Sequence, residues 1–244
     1  MRKVIRSARA TEKRLNELPQ FVTEIDSQRV HFAHVRSADP GATALVLTHG
    51  FPSSFAEFEE VIALLPDFHL VVPSLSPPPP PPSFRVADRL DPDDPVDKLI
   101  RERMDAFTRE DSDYPAIRNT RPQTIGYGLT DSPALQLAWI AEKFAEWTER
   151  PVDRERLLTT VALYGFTATA AHTLYDQAHS ADWGAPPTVP QAFAVFGADE
   201  TVRKLIAVPA GTRWTEFPHA RHFPALEAPT DLAGDLRAFL SGRD

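Results

Sequence analysis

His222 stands in Arg221-His222-Phe223-Pro224-Ala225-Leu226-Glu227, on a loop between a predicted strand and a predicted helix. An imidazole with a pKa near 6.5 can take a proton from water at neutral pH. Asp199 follows the apolar run Ala192 to Phe196 across Gly197-Ala198, with Glu200 beside it. A carboxylate at such a strand end can shape a turn or orient a histidine ring. Tyr114, Tyr127, Tyr164 and Tyr175 lie in a helical stretch, and a phenol with a reference pKa of about 10 is a neutral hydrogen-bond donor at working pH. The chain has no cysteine. Disulfides, Cys-zinc sites and a thiol nucleophile are excluded, so any nucleophile must be an oxygen.

The elements that must position these groups alternate between sheet and helix. Residues 29–36 alternate apolar with polar and run into Asp39-Pro40-Gly41, the pattern of a half-buried strand ending in a turn. Ala44 to Thr48 and Leu70 to Val72 are short apolar runs, as in strands covered on both faces. Between them, Phe55 to Leu65 has apolar residues at 55, 58, 61, 62 and 65, a helical spacing. Strand, helix, strand makes one right-handed crossover of a parallel sheet. Ser76 and six prolines, 77 to 82, then interrupt the sheet, because proline cannot donate a ladder hydrogen bond. Helical periodicity follows over Val96 to Phe107, Pro133 to Trp147 and Asp153 to Tyr175. Strands return at Ala192 to Phe196 and Arg213 to Phe217, before a closing helix at Leu232 to Leu240. These patterns predict a single α/β domain over 1–244, with 76–94 a proline-rich connector and 95–180 a helical lid over a pocket.

A formal net charge of −8 repels polyanions on average and disfavours nucleic acid as a partner. No apolar run approaches the roughly 20 residues of a bilayer span. The basic start, with Arg2, Lys3, Arg6 and Arg9, lacks an apolar core for secretion, so a cytoplasmic location and a frayed, solvated helix at Met1 to Ala10 are expected.

Five segments carry a resemblance: Leu45 to Pro52, ending in His49-Gly50-Phe51-Pro52; Thr120-Arg121-Pro122-Gln123-Thr124-Ile125; Asp131-Ser132-Pro133 through Ala141-Glu142-Lys143-Phe144; Val189-Pro190 through Asp199; and Arg221 to Glu227. Together, from about Glu12 onward, they resemble the epoxide hydrolase family of α/β-hydrolases, of microsomal and bacterial type. The resemblance implies an α/β-hydrolase fold and a two-step reaction. A carboxylate attacks an epoxide carbon to give an ester, and a His-activated water hydrolyses the ester to a vicinal diol. The resemblance makes His222 the general base and Asp199 the acid that orients it, with Glu200 the runner-up. Tyr114 and Tyr175 become the lid donors to the epoxide oxygen, and the Phe51 N–H an oxyanion-hole donor. Tyr127 and Tyr164 are left to packing, and His172, His179 and His219 to solvent. The implied partner is a small hydrophobic epoxide or related ligand, and no metal or organic cofactor is implied. The family's Gly-Gly-His is here Ala220-Arg221-His222, so Arg221 is expected to disturb the loop's backbone or to lower the pKa of His222.

The family's nucleophile stands on a strand-to-helix elbow within a motif like Gly-Gly-Asp-Trp-Gly, and nothing between Leu75 and Tyr114 resembles it. Val71-Val72-Pro73-Ser74-Leu75 passes straight into the prolines, as if an elbow strand, its helix and a further strand were excised; the family's N-terminal extension also reads as shortened. Asp182, in Ser180-Ala181-Asp182-Trp183-Gly184, matches the tail of the motif but follows the lid and lacks an apolar strand before it. The nucleophile is therefore unassigned, with Asp182 the remaining candidate. Without the missing strands, Ala44 to Thr48 becomes an unpaired apolar edge unless the sheet re-pairs. The expected activity is an impaired hydrolysis of small hydrophobic epoxides, a detoxification chemistry. Two alternatives stand beside it: a non-catalytic remnant or small-molecule-binding module, and an esterase or dehalogenase on the same fold, the esterase relying on Ser53 or Ser54.

Overall fold

The computed structural model describes residues 2–74, 90–170, 189–205 and 211–241. Tyr175, Asp182 and the run of prolines lie outside the described residues. Helix α1 (Arg2–Leu15) extends beyond the short frayed segment expected from its composition. Its last turn carries Lys13 and Arg14, cations at the negative end of the helix dipole. That end is anchored by buried Leu15 and by Arg14, whose Nε lies 2.8 Å from the Glu59 carboxylate.

Strands β1 (Gln20–Ile25) and β2 (Gln28–Val35) form an antiparallel hairpin whose two turn residues, Asp26 and Ser27, have φ of 50° and 64°. Two successive positive-φ residues give a twist that matches the flanking strands. Strand β3 (Ala44–Val46) is followed by a 3-10 turn at Phe55–Phe58, helix α2 (Glu59–Leu64) and strand β4 (His69–Pro73). β3 and β4 pair in parallel with Leu45 opposite Leu70, the expected crossover, while β4 also pairs antiparallel with β2. The sheet order is β1-β2-β4-β3.

The helical segment comprises α3 (Pro95–Glu110), α4 (Asp113–Thr120), α5 (Pro122–Asp131), α6 (Pro133–Trp147) and α7 (Arg154–Thr167). Three of these begin on a side chain that accepts backbone N–H groups: Asp94 for α3, Ser132 for α6 and Asp153 for α7. Proline follows the cap of α3 and of α6, where its missing N–H and fixed φ are harmless. Helix α7, read from the sequence as continuing to Tyr175, stops at Thr167 because Ala168 turns left-handed at φ 54°. The chain then returns to β5 (Ala192–Phe196), α8 (Glu200–Leu205), β6 (Arg213–Phe217), α9 (Pro224–Glu227) and α10 (Pro229–Ser241). No helix among the described residues is long and apolar enough to cross a membrane.

β5 and β6 pair in parallel as a separate two-stranded sheet. Among the described residues the strands do not re-pair: β3 is bonded on one side to β4 and ends the four-stranded sheet there. Leu47 N–H donates to Val71 O across the β3–β4 pair, so the alternating amides of Val46 and Thr48 face the other way. Val46 is 66% exposed, whereas Leu70 and Val72 on β4 are fully buried. Edge strands are usually guarded by charge or proline, and Gly41 through Thr48 contains neither. Replacing Val46 with Lys should therefore suppress self-association, read as a loss of high-mass species in light scattering at raised protein concentration. An unchanged mass distribution would show that this edge is not sticky.

Two apolar clusters meet where the loops converge. One lies between the four-stranded sheet, α2 and α10, and includes Leu47, Phe58, Val61, Leu65, Leu70 and Ala233. The other fills the helical segment around Leu129, Ile140 and Phe144, and it also receives Phe51 and Phe223 from the loops. The loop residues that carry the candidate chemistry thus sit on the seam between the sheet and the helical segment.

Candidate active site

Gly50 brings the loop after β3 close to the loop after β6, since a Cβ on Gly50 would stand 4.0 Å from His222 Nε2. Phe51 buries its ring edge-on against Tyr164, and the Tyr164 hydroxyl donates to Ser53 O at 2.9 Å. Ser53 N–H in turn donates to Gly50 O at 2.9 Å, so the turn is closed on itself. The Phe51 N–H makes no hydrogen bond among the described residues, which leaves it open to an incoming oxygen. Phe51 is joined to Pro52 by a cis peptide bond. Tyr164 packs as the sequence suggested, and burial together with the nearby Glu57 carboxyl pushes its pKa up.

His222 lies against Trp147 and Phe223, with ring centroids 4.8 Å away in each case. Its backbone N–H donates to Trp147 O at 3.1 Å. Nε2 lies 3.0 Å from Phe51 O, and because a carbonyl only accepts, Nε2 is the protonated nitrogen there. Nδ1 then carries the lone pair in the neutral ring and has no partner among the described residues. Crowding by the aromatic walls lowers the pKa of His222, offset in part by Phe51 O and by the Glu227 carboxylate. The residue as a whole remains exposed, so water still reaches it and the effect stays moderate.

The bulky substitution beside His222 acts differently from the expectation. The left-handed backbone falls on Ala220, at φ 60°, and not on Arg221. The pKa of His222 is moved by burial, Phe51 and Glu227, with no contribution from Arg221. Two carboxylates hold the loop instead. Ala220 N–H donates to Glu149 at 2.8 Å and Arg221 N–H to Glu227 at 2.9 Å, while Glu149 N–H donates to Glu227 at 2.6 Å. Glu227 closes the sequence motif that begins at His222, so half of this support was visible in the sequence and Glu149 was not.

Asp199 stands beyond β5 where the sequence placed it, but its oxygens are engaged elsewhere. One accepts from the Thr201 N–H at 2.8 Å and the Thr201 hydroxyl at 2.5 Å, and the other from Arg103 of α3 at 2.5 Å. The Thr201 hydroxyl, and after it Arg103, hold the Asp199 pKa down to about 2. Lys204 of α8 adds ion pairs to Asp94 and Asp97 at 2.8 and 2.9 Å, fastening α3 to α8. No hydrogen bond joins Asp199 to His222 among the described residues. An acid in this state orients the base only after Arg103 lets it go.

Tyr114, on α4, packs at 5.3 Å from the Trp147 ring and 6.5 Å from the Trp139 ring. Trp147 therefore touches Tyr114 on one side and His222 on the other, and sequence reasoning had passed it over as part of a helical apolar face. The Tyr114 hydroxyl has no hydrogen-bond partner among the described residues, and burial raises its pKa, which keeps it a neutral donor. Ser53 and Ser54 are buried, and among the described residues their hydroxyls have no hydrogen-bond partner, His222 included. They do not present an ester-cleaving nucleophile in this arrangement.

Residues 7–58 match a family model described as the epoxide hydrolase N terminus. A relative from Stigmatella aurantiaca is 28% identical over 325 aligned residues, which take in 94% of this chain and 71% of the relative. That alignment is longer than the 244-residue chain, so it spans an internal stretch with no counterpart here. Epoxide hydrolase 1 of Sus scrofa is 24% identical over 93% of this chain and 75% of its own length. Among solved structures, the epoxide hydrolase of Aspergillus niger superposes with a TM-score of 0.76 at 26% identity, covering 96% of this chain and 81% of that one. With the loops after β3 and β6 joined through Phe51 and His222, the chain takes the α/β-hydrolase fold and is similar to epoxide hydrolases over most of its length.

Proposed function

We propose that this chain is an epoxide hydrolase impaired at its covalent step, acting slowly on small hydrophobic epoxides to give vicinal diols. The observation that carries the reading is the strand order: among the described residues the four-stranded sheet ends at β3 and β5 pairs only with β6, with no strand between them to bear an elbow nucleophile. The groups that assist the reaction remain: His222, Tyr114 and the free Phe51 amide, with Asp199 in reserve behind Arg103. Tyr175 belongs to the same proposal as second donor to the epoxide oxygen.

Without an attacking carboxylate, water itself adds to the epoxide carbon. His222 takes its proton, the carbon–oxygen bond of the ring breaks, and the ring oxygen leaves as an alkoxide that receives the Tyr114 proton. The imidazolium returns its proton through solvent to the tyrosinate, so one water is consumed per diol. Incubation with an isotopically labelled styrene oxide followed by mass spectrometry of the protein should show diol in solution and no alkylated carboxylate on the chain. An ester on Asp182, or on any other aspartate, would reverse the proposal by revealing a working nucleophile.

The engagement of Asp199 by Arg103 and Thr201 favours a second reading, a small-molecule-binding protein without turnover. It predicts that epoxide and diol bind in a titration while diol formation does not exceed that of a His222→Ala control.

A further inference from the structure

Lys143 of α6, like Arg118 of α4, is a cation in the helical segment whose burial runs against its chemistry. Its side chain is 3% exposed, although it ends in an ammonium group. Burying a cation is unfavourable unless it is paired, and Lys143 Nζ lies 2.5 Å from Glu142 and 3.0 Å from Glu146. Those two carboxylates are themselves 56% and 38% exposed, so they could hold a lysine equally well at the surface. They account for the pairing of the charge and not for its position.

The position is set over aromatic rings. Nζ stands 4.5 Å from the centroid of Tyr114 and 5.6 Å from that of Trp147. Both distances lie within the range in which a cation is attracted to the negative face of a ring. Tyr114 also has Arg118 at 5.6 Å, and Trp147 is the ring that separates Tyr114 from His222. We propose that Lys143 is a positioning residue: its buried ammonium fixes Tyr114 and Trp147 as one array facing His222.

The array has an electrostatic side as well. Burial raises the Tyr114 pKa, and the charges of Arg118 and Lys143 act against that rise, while Asp111 and Glu146 act with it. A cation beside the ring favours the phenolate that forms when Tyr114 gives up its proton, so the residue that orients the donor also eases its ionisation. The consequence for turnover rests on the reading of Tyr114 as the epoxide-oxygen donor. The placement of Lys143 does not.

The test therefore reads Tyr114 directly. The protein is labelled at the tyrosine ring carbon that bears the oxygen, the Tyr114 resonance is assigned by its loss in Tyr114→Phe, and it is followed through an alkaline titration. Lys143→Met should move the Tyr114 titration to higher pH and weaken the near-ultraviolet circular dichroism of the coupled Tyr114–Trp147 pair. Lys143→Arg, which keeps the charge, should retain both signals. If Lys143→Met does not fold, Lys143→Gln removes the charge while keeping a donor for Glu146 and should give the same shift. A Tyr114 titration unmoved by loss of the charge, or moved equally by Met and Arg, would overturn the proposal. Because neither signal depends on turnover, an inactive protein could still pass or fail this test.

Discussion

The stability of this protein is expected to fall as the pH rises from 4.5 towards about 7, and Glu57→Gln to remove that fall. Glu57 sits in the 3-10 turn after the Phe51 loop, 9% exposed, and burial pushes its pKa up from 4.5 to about 7. Ser53 offsets part of the shift, although its hydroxyl does not reach full hydrogen-bond geometry. The sign follows from proton linkage. Between the two pKa values the unfolded chain releases the Glu57 proton while the folded chain keeps it, so each step up in pH favours unfolding. Below 4.5 the stabilisation is fully present, and above about 7 it is lost. A shift of this size corresponds to something on the order of 3 kcal/mol, a sizeable part of a typical domain's stability. Urea midpoints measured across this range should converge for wild type and Glu57→Gln at acid pH and separate at neutral pH, with the variant the more stable. Two curves that run parallel throughout would mean that Glu57 is not buried as an acid. Glu57 lies one hydroxyl away from the turn that presents the Phe51 amide, so its ionisation is also expected to loosen that loop.

Glu57 marks a limit of what the sequence could tell. The apolar positions 55, 58, 61, 62 and 65 fit one helical stripe and leave Glu57 to solvent. The chain instead takes a 3-10 turn over Phe55–Phe58 before α2 begins, and three residues per turn rotate Glu57 inward. Where periodicity and caps agreed, the reading matched the fold closely: Ser132 and Pro133 mark the start of α6, and β5 and β6 span the predicted residues. β1 escaped notice because nearly all of it is exposed, Phe21, Val22 and Ile25 included, so its pattern carries no inward face.

The site divides along the same line. His222 and the Phe51 loop were legible because motif and strand order both bring them to one end of the sheet, where the structure joins them through Nε2 and Phe51 O. Trp147, Lys143 and Arg103 were not, since each occupies an ordinary helical position and gains its role only when α6 packs against α4, or α3 against α8. Asp199 follows β5, but its contact with Arg103 was not legible, because the two lie 96 residues apart and no local pattern couples them.

His222→Ala should lower diol formation by about 10²- to 10⁴-fold, the range for loss of a positioned general base. Truncation leaves Trp147 and Phe223 in place, so KM should change little and the loss should appear in kcat. The pH profile gives an independent check on the same group. A general base works when deprotonated, and burial lowers the His222 pKa from 6.5, so the acid limb of kcat/KM should fall at a pH below that of an ordinary histidine. Releasing Asp199 should move the limb back. In Arg103→Met the carboxylate loses its cation and becomes available to the imidazolium, whose stabilisation raises the His222 pKa. A wild-type limb above 6.5, or turnover that survives His222→Ala, would remove His222 as the base and require another group to activate the water.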